Sequence, residues 1–324
     1  MSDDSRILLQ VIKKHPLDDT PRLIYADWLE ENGEERRAEF IRLSCAAAMT
    51  QEGTSERNEL DASMNQLLAE YGERWHQPFV RLGAEAERIR YERGFPILRF
   101  YPRTLHSCLD EIVSSHPNVI GVDTHTGERD ADIVREIVSS THIAHFNLLN
   151  LTLFNMDNHN DAELARNPAI SNLTHLSFNG CWISDDGATA IATSPYLANL
   201  VSLTAMLSDL SSRAAATLSA GIYSNMLSYL DFSVSGLEDD GVEMICAART
   251  TLPTLKRLNL EYNPICRDSL LSLARASRFP GDAILNFKKL GEDGFIGTFA
   301  ELRSLIGTPN FPGYPNPTHR RGRG

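Results

Sequence analysis

"LTHLSFNGCWI", residues 173 to 183, sets apolar side chains at its first, fourth, sixth and last positions. Leu176 and Phe178 stand two apart, the spacing that puts side chains on one face of a strand. The arrangement returns in "LVSLTAMLSDL" (200 to 210), "LSYLDFSVSGL" (227 to 237) and "LKRLNLEYNPI" (255 to 265), with a near-constant interval between the starts Leu173, Leu200, Leu227 and Leu255. Helical spacing follows: Ala188, Ile191 and Ala192; Val242, Ile245 and Cys246; Leu270, Leu273 and Ala274. "SDDG" (184 to 187) and "EDDG" (238 to 241) put acids at the helix starts, where they are expected to cap and to complement the dipole. One such unit cannot bury its apolar face, so the units are predicted to stack around a continuous core.

These stretches resemble the leucine-rich-repeat template, with Cys181 and Asn263 at its Cys-or-Asn position. The length of the repeat, as from Leu173 to Leu200, resembles that of the ribonuclease-inhibitor class. The resemblance implies an α/β fold, a leucine-rich-repeat solenoid with parallel strands on the concave face and helices on the convex face. Upstream, "IAHFNLLNLTL" (143 to 153) fits the pattern, and weaker units begin at Val119 and Phe95, evenly spaced ahead of it. That gives about seven units over residues 94–282.

Residues 1–93 read as a small all-helical domain. Ile7, Leu8, Val11 and Ile12 make one face of a helix over 5–13. Asp19 or Thr20 can cap the next helix, with Pro21 in its first turn and Gly33 at its end. Leu23, Ile24, Tyr25, Trp28 and Leu29 form its apolar face. A third helix turns Ala38, Phe40, Ile41 and Cys45 inward, and a fourth runs over about 56–75. Asp27 and Glu39 beside Arg22, Arg37 and Arg42 could form an acid pair, but a small bundle seldom supplies a cleft, and charges bridging neighbouring helices are the expected reading. No HExxH, nucleotide-binding glycine loop or nucleophile beside a histidine is present in the sequence.

"LLQVIKKHPLDDTPRLIYADWLEENGEERRAEFIRLSC" is similar to the bacterial repeat-companion domain. The match runs through Leu8, Leu9, Ile12, Asp18, Asp19, Pro21, Arg22, Leu23, Tyr25 to Glu31 and Arg37 to Arg42. The resemblance implies a module that accompanies repeats and brings no catalytic residues. After the repeats, residues 283–309 depart from the pattern and are expected to cap the stack. Residues 310–324, rich in Pro and Gly, read as a flexible tail made locally basic by Arg320, Arg321 and Arg323.

A chain of 324 residues with 42% hydrophobic and 23% charged residues suits a globular protein. Its net charge of −12 argues against a dedicated nucleic-acid binder. Five scattered cysteines (45, 108, 181, 246, 266) suit reduced thiols at core or turn positions, and no run approaches the ~18 apolar residues of a membrane span. The acidic start lacks the charge of a signal peptide, so a cytoplasmic location without membrane insertion is expected.

Between the buried leucines, alternation predicts a concave face in three rows. One holds His145, His175, Ser202, Tyr229 and Arg257; the next Asn147, Ser177, Thr204, Asp231 and Asn259; the third Leu149, Asn179, Met206, Ser233 and Glu261. Short polar groups with Tyr229, Arg257 and Met206 as anchors suit a protein or peptide ligand. His145 and His175, with His125 or Asn147, could share a metal, but no thiolate or carboxylate completes a set, so no metal and no cofactor are expected. The function expected is a non-enzymatic interaction module. The alternative, by analogy of fold alone, is a regulatory protein such as a GTPase activator presenting Asn147 or Arg257, or the substrate-recognition arm of a ubiquitin-ligase-like complex.

Overall fold

The computed structural model describes residues 2–124, 131–153, 156, 160–288 and 294–306. They fall into two compact units, Met1–Leu151 with Pro168–Thr174, and Thr152–Asn167 with His175–Gly324. The expected tail and its three arginines lie outside the described residues, as do 289–293 and 307–309 of the expected cap.

In the first unit four helices come first: α1 (Asp3–Lys14), α2 (Thr20–Glu31), α3 (Glu35–Met49) and α4 (Ser55–Arg81). Strands β1 (Arg90–Glu92) and β2 (Phe95–Phe100), helix α5 (Pro102–Ser115), strand β3 (Gly121–Thr124), helix α6 (Ala131–Ser139) and strand β4 (Leu148–Leu151) follow. β1 and β2 form a hairpin whose two turn residues, Arg93 and Gly94, both have positive φ, as a tight primed turn requires. Gly94 also has no room for a side chain, since a Cβ there would meet Ile41 Cα at 2.7 Å.

Leu9, Ile12, Tyr25, Ala26, Leu29, Ala38, Ile41 and Cys45 pack with Phe95, Ile97 and Ile120 in one apolar core. Ile7 (58% exposed), Val11 (37%), Leu23 (40%) and Ile24 (49%) stay outside it, against expectation. On α1 the buried side is instead Ser5, Leu9 and Ile12. Asp19 takes the N-cap position of α2, but its carboxylate accepts from Arg93 instead of capping the helix, while Asp18 Oδ1 accepts from Thr20 N–H at 2.9 Å. α4 runs through Pro78 to Arg81, past the expected end.

The charges of α2 and α3 bridge helices. Arg42 reaches Asp27 (2.7 Å) and Glu30 (2.6 Å), while Glu39 pairs with Arg36 (2.9 Å), so Asp27 and Glu39 form no acid pair. Arg22 is buried, donating to the carbonyls of Asp18 and Pro16 (2.8 Å each). Arg37 donates to the Gly94 carbonyl among the rings of Phe40, Trp75 and Tyr91.

β2, β3 and β4 run parallel, pairing Ile97 with Gly121 and Gly121 with Leu148. The Phe95 and Val119 starts fit this register, because Phe95, Val119 and Phe146 are all buried two residues before the paired Ile97, Gly121 and Leu148. The third repeat therefore begins at Phe146, three residues after the Ile143 that the sequence suggested. Thr174 N–H donates to the Asn147 carbonyl (2.8 Å) one coil back, as Ser228 N–H does to that of Val201.

The second unit is a stack of coils. Helices α7 (Asn160–Arg166), α8 (Asp185–Thr193), α9 (Ser212–Leu218), α10 (Asp239–Ala247) and α11 (Arg267–Arg275) pack each on the next. Between them run β5 (His175–Ser177), β6 (Ser202–Thr204), β7 (Tyr229–Asp231), β8 (Arg257–Asn259) and β9 (Ile284–Phe287), all parallel. The pairing His175–Ser202–Tyr229–Arg257–Ile284 reproduces the sequence spacing and extends it by one more coil. The segment after residue 283 thus adds a strand to the stack before β10 (Phe295–Thr298) pairs antiparallel with it and α12 (Phe299–Ser304) follows. Leu176, Phe178, Leu203, Leu230, Phe232, Leu258, Leu260 and Leu285 are all at most 1% exposed and fill the core. The helix positions named from the sequence are buried too, apart from the half-buried Cys246; Cys266 is exposed.

Polar groups stitch the coils together. Asn263, 1% exposed, donates to the carbonyls of Phe232 (2.7 Å) and Leu260 (3.1 Å) and accepts from Ser235 and Leu237 N–H (3.0 Å each). Ser208 fills the same place two coils earlier, donating to the Phe178 carbonyl at 2.8 Å. The acids of "SDDG" and "EDDG" stand in the first turns of their helices, where Asp240 accepts from Gly241 N–H (2.8 Å), and they also reach neighbouring coils. Asp185 accepts from Ser211 and Asp240 from Ser212 (2.8 Å), while Asp239 takes Cys266 N–H (2.7 Å) and Ser269 Oγ (2.6 Å). Gly187 leaves room for the Asp161 carboxylate, which would lie 1.6 Å from a Cβ there.

Asn263→Ala would strand two buried N–H groups and two carbonyls, at a cost on the order of 2–4 kcal/mol. A lower melting temperature and loss of amide exchange protection at Ser235 and Leu237 are expected; an unchanged melt would contradict the assignment.

Candidate functional site

The residues between the buried leucines of β5 to β9 form one face of the second unit. His175, Ser202, Tyr229, Arg257 and Ile284 are half-buried side by side, as are Thr204, Asn259 and Asn286 in the adjacent row. Ser177 and Asp231 of that row are buried at 7% exposure, and Ser233 at 4%. They are enclosed because their own neighbours cover them. Asp231 accepts from Tyr229 Oη (2.9 Å), Ser233 N–H and Oγ (2.8 and 2.7 Å) and Asn259 Nδ2 (3.0 Å), so its carboxylate is spent on fixing the face. Burial, together with that carboxylate, pushes the Tyr229 phenol up to about 12. It therefore remains a protonated donor with its hydroxyl held by Asp231 of the same strand. Asn259 Oδ1 accepts from Glu261 N–H (3.1 Å) and Asn179 Oδ1 from Met206 N–H (3.0 Å). Asn179, Met206 and Glu261 are half-buried in the third row.

His145 and Asn147 do not sit on a strand. His145 ends a 3-10 turn, Thr141–His145, and Asn147 is 4% exposed, donating to the carbonyls of Lys13 and Asn172 (3.0 Å each). Leu149, expected on the third row, is 1% exposed. The cause is the three-residue register shift at Phe146, which moves each of these residues off the face. His145 thus does not stand beside His175 on a neighbouring strand, and His125 lies outside the described residues. Among the described residues no three His, Cys, Asp or Glu side chains are placed to hold a metal.

The structure adds a row that the sequence reading passed over. At one repeat position just after the strand, every coil holds a residue in the left-handed region: Leu153 (φ 57°), Gly180 (68°), Leu207 (59°), Val234 (54°) and Tyr262 (58°). The backbone requirement has a clear origin, because each N–H donates to a carbonyl of the next coil: Leu153 to Asn179, Gly180 to Met206, Leu207 to Ser233, Val234 to Glu261 and Tyr262 to Lys288. Glycine satisfies that geometry without strain, whereas an L side chain costs about 1–2 kcal/mol and a β-branched one is especially disfavoured. Yet only one of the five is glycine. The others are large apolar groups left 47% (Leu153), 56% (Leu207), 38% (Val234) and 41% (Tyr262) exposed. Strands ~4.8 Å apart turn Leu207, Val234 and Tyr262, on successive coils, into an apolar rim beside the polar face. Trp182, two residues beyond Gly180, is 57% exposed. The available signal was the eighth position of each repeat, which reads Gly, Leu, Val, Tyr.

A family model described as Leucine Rich repeat matches residues 169–192, the stretch that includes β5 and most of α8. No curated protein matches the chain. A leucine-rich repeat is thus present where the strand face begins, and the mixed α/β structure is compatible with a solenoid of such repeats. Among the described residues, no helix is long and apolar enough to cross a membrane.

If the rim side chains have no structural task, Leu207→Gly with Val234→Gly leaves the melting temperature unchanged or raised. Relief of left-handed strain offsets the ~0.5–1 kcal/mol backbone entropy cost of each glycine. Leu203→Ala, fully buried on the same sheet, is the contrast and should cost about 2–5 kcal/mol in a denaturant melt.

Proposed function

We propose that this protein is a non-enzymatic interaction module whose repeat stack binds a protein or peptide through the strand face and its apolar rim. The observation that carries the reading is the rim: Leu207, Val234 and Tyr262 occupy strained, exposed positions where glycine would serve the fold better. Selection for folding alone gives no reason to keep them, whereas a partner that buries them does. Beside them, Tyr229 offers a ring fixed by Asp231 and Arg257 a half-buried guanidinium, the side-chain types that concentrate binding energy at interfaces. The face is assembled by short strands and buried hydrogen bonds, so little ordering entropy is lost on association.

In this reading the helices at the start act as a repeat-companion head, the repeats belong to the ribonuclease-inhibitor-like class, and the protein works in the cytoplasm. Asp231, the carboxylate buried in the strand face, is saturated with donors, which suits a binding surface better than acid–base chemistry. Of the two groups that a GTPase activator could present, Asn147 is buried and bonded to main chain, which disfavours that alternative.

Affinity capture from native cell extract with the full chain tests the proposal. Tyr229→Ala with Arg257→Ala, and separately Leu207→Gly with Val234→Gly, should each cut retention of a specific partner at least tenfold while the fold stays intact by circular dichroism. Equal retention by both double variants would sink the assignment of this face.

A further inference from the structure

In the first unit a cavity of about 410 Å³ lies among Arg6, Lys13 and Lys14 of α1, Pro117, and His145 with its turn. Among the described residues, no aspartate or glutamate lines it. Lys13 is half-buried here with no carboxylate beside it, and its Nζ lies 2.5 Å from His145 Nε2. The His145 ring also bonds the backbone of His116. A backbone carbonyl there holds the imidazole proton on Nδ1, which leaves Nε2 as a lone-pair acceptor facing the amine. One proton at most fits between the two nitrogens at that distance.

We propose that Lys13 is a reactive amine that forms an imine with small aldehydes or ketones bearing a carboxylate or phosphate. The cavity admits such a molecule to Nζ, and Arg6 and Lys14 supply the cationic walls that hold its anionic group. The amine lone pair attacks the carbonyl carbon, and one amine proton passes to the oxygen to give a carbinolamine. The hydroxyl then leaves as water with the second amine proton, and C=N stands in place of C=O. No oxidant or reductant is consumed.

Burial brings the Lys13 ammonium down to about 7. Arg6 and Lys14, cations on its own helix, act in the same direction, whereas the neutral His145 acceptor facing it opposes them. His142 lies beyond His145, its Nε2 3.0 Å from Asp110, which is therefore already engaged. Glu111 acts on His116. At pH 7 roughly half of Lys13 is free amine, against on the order of one in a few thousand for an ordinary lysine.

The test is competitive labelling of the full chain with limiting glyoxylate and cyanoborohydride at pH 7, mapped by mass spectrometry. Lys14, exposed one residue away, is the internal reference. Lys13 should react at least ~10-fold faster than Lys14, with a pH midpoint near 7, and inorganic phosphate should slow it. His145→Asn reports on the contact and should shift that midpoint while Lys14 is unaffected. A Lys13 rate equal to or below that of Lys14 between pH 6.5 and 8 overturns the proposal, as does a midpoint near that of ordinary lysine.

Discussion

Each coil of the second unit turns back on itself after a short strand, and that turn leaves main-chain groups buried between layers. Unpaired, each would cost about 1–3 kcal/mol, so the stack exists only if every coil supplies a partner to its neighbour. One position meets that demand with whatever short polar side chain fits. Ser208 and Ser235 reach the carbonyls of Phe178 and Ala205, and Asn263 bonds four main-chain groups at once. Register follows from this constraint. A slip of one residue would leave every one of these groups orphaned together with the leucines.

The same ladder explains the rim. A coil that must hand an N–H to the next carbonyl just past the strand is driven into the left-handed region, whatever residue stands there. Gly180 follows the local preference; Leu207, Val234 and Tyr262 go against it. When local preference and observed residue disagree repeatedly at one surface position, the explanation lies outside the folded chain's own energetics. The rim is therefore a firmer pointer to a partner than the polar rows beside it, whose side chains largely bond to one another.

The regular interval from Leu173 to Leu200, Leu227 and Leu255 in the sequence is the pairing His175–Ser202–Tyr229–Arg257 of the sheet, because a strand period of two and a fixed coil length leave no freedom. At Ile143 the same reasoning slipped. Ile143 and Phe146 are both apolar and both buried, and three residues apart they satisfy the pattern equally well. What separates them is a main-chain bond from Thr174 to Asn147, which no side-chain pattern encodes. On α1 and α2 the apolar stripe is wider than the core it meets, so Ile7, Val11, Leu23 and Ile24 looked equivalent to residues that are in fact buried. Lys13 was invisible for another reason: the side chain it meets, His145, lies far along the chain.

Arginine shows how far residue type can mislead. Arg278 is 4% exposed and donates to the carbonyls of Ser219 (2.7 Å) and Ile245, linking three successive coils; burial brings its guanidinium down to about 10. Arg303 does similar work at the end of α11, reaching the carbonyls of Ala274, Ala276 and Phe279 (3.0 Å each). Five donors in a planar fork suit this task, since one side chain can satisfy several carbonyls that a helix end leaves open. Arg22 and Arg37 do the same in the first unit. These cations are committed to main chain, whereas the acids of Asp27, Glu30 and Glu243 are exposed. The net charge of −12 suits a ligand recognised by shape and apolar contact better than a polyanionic one.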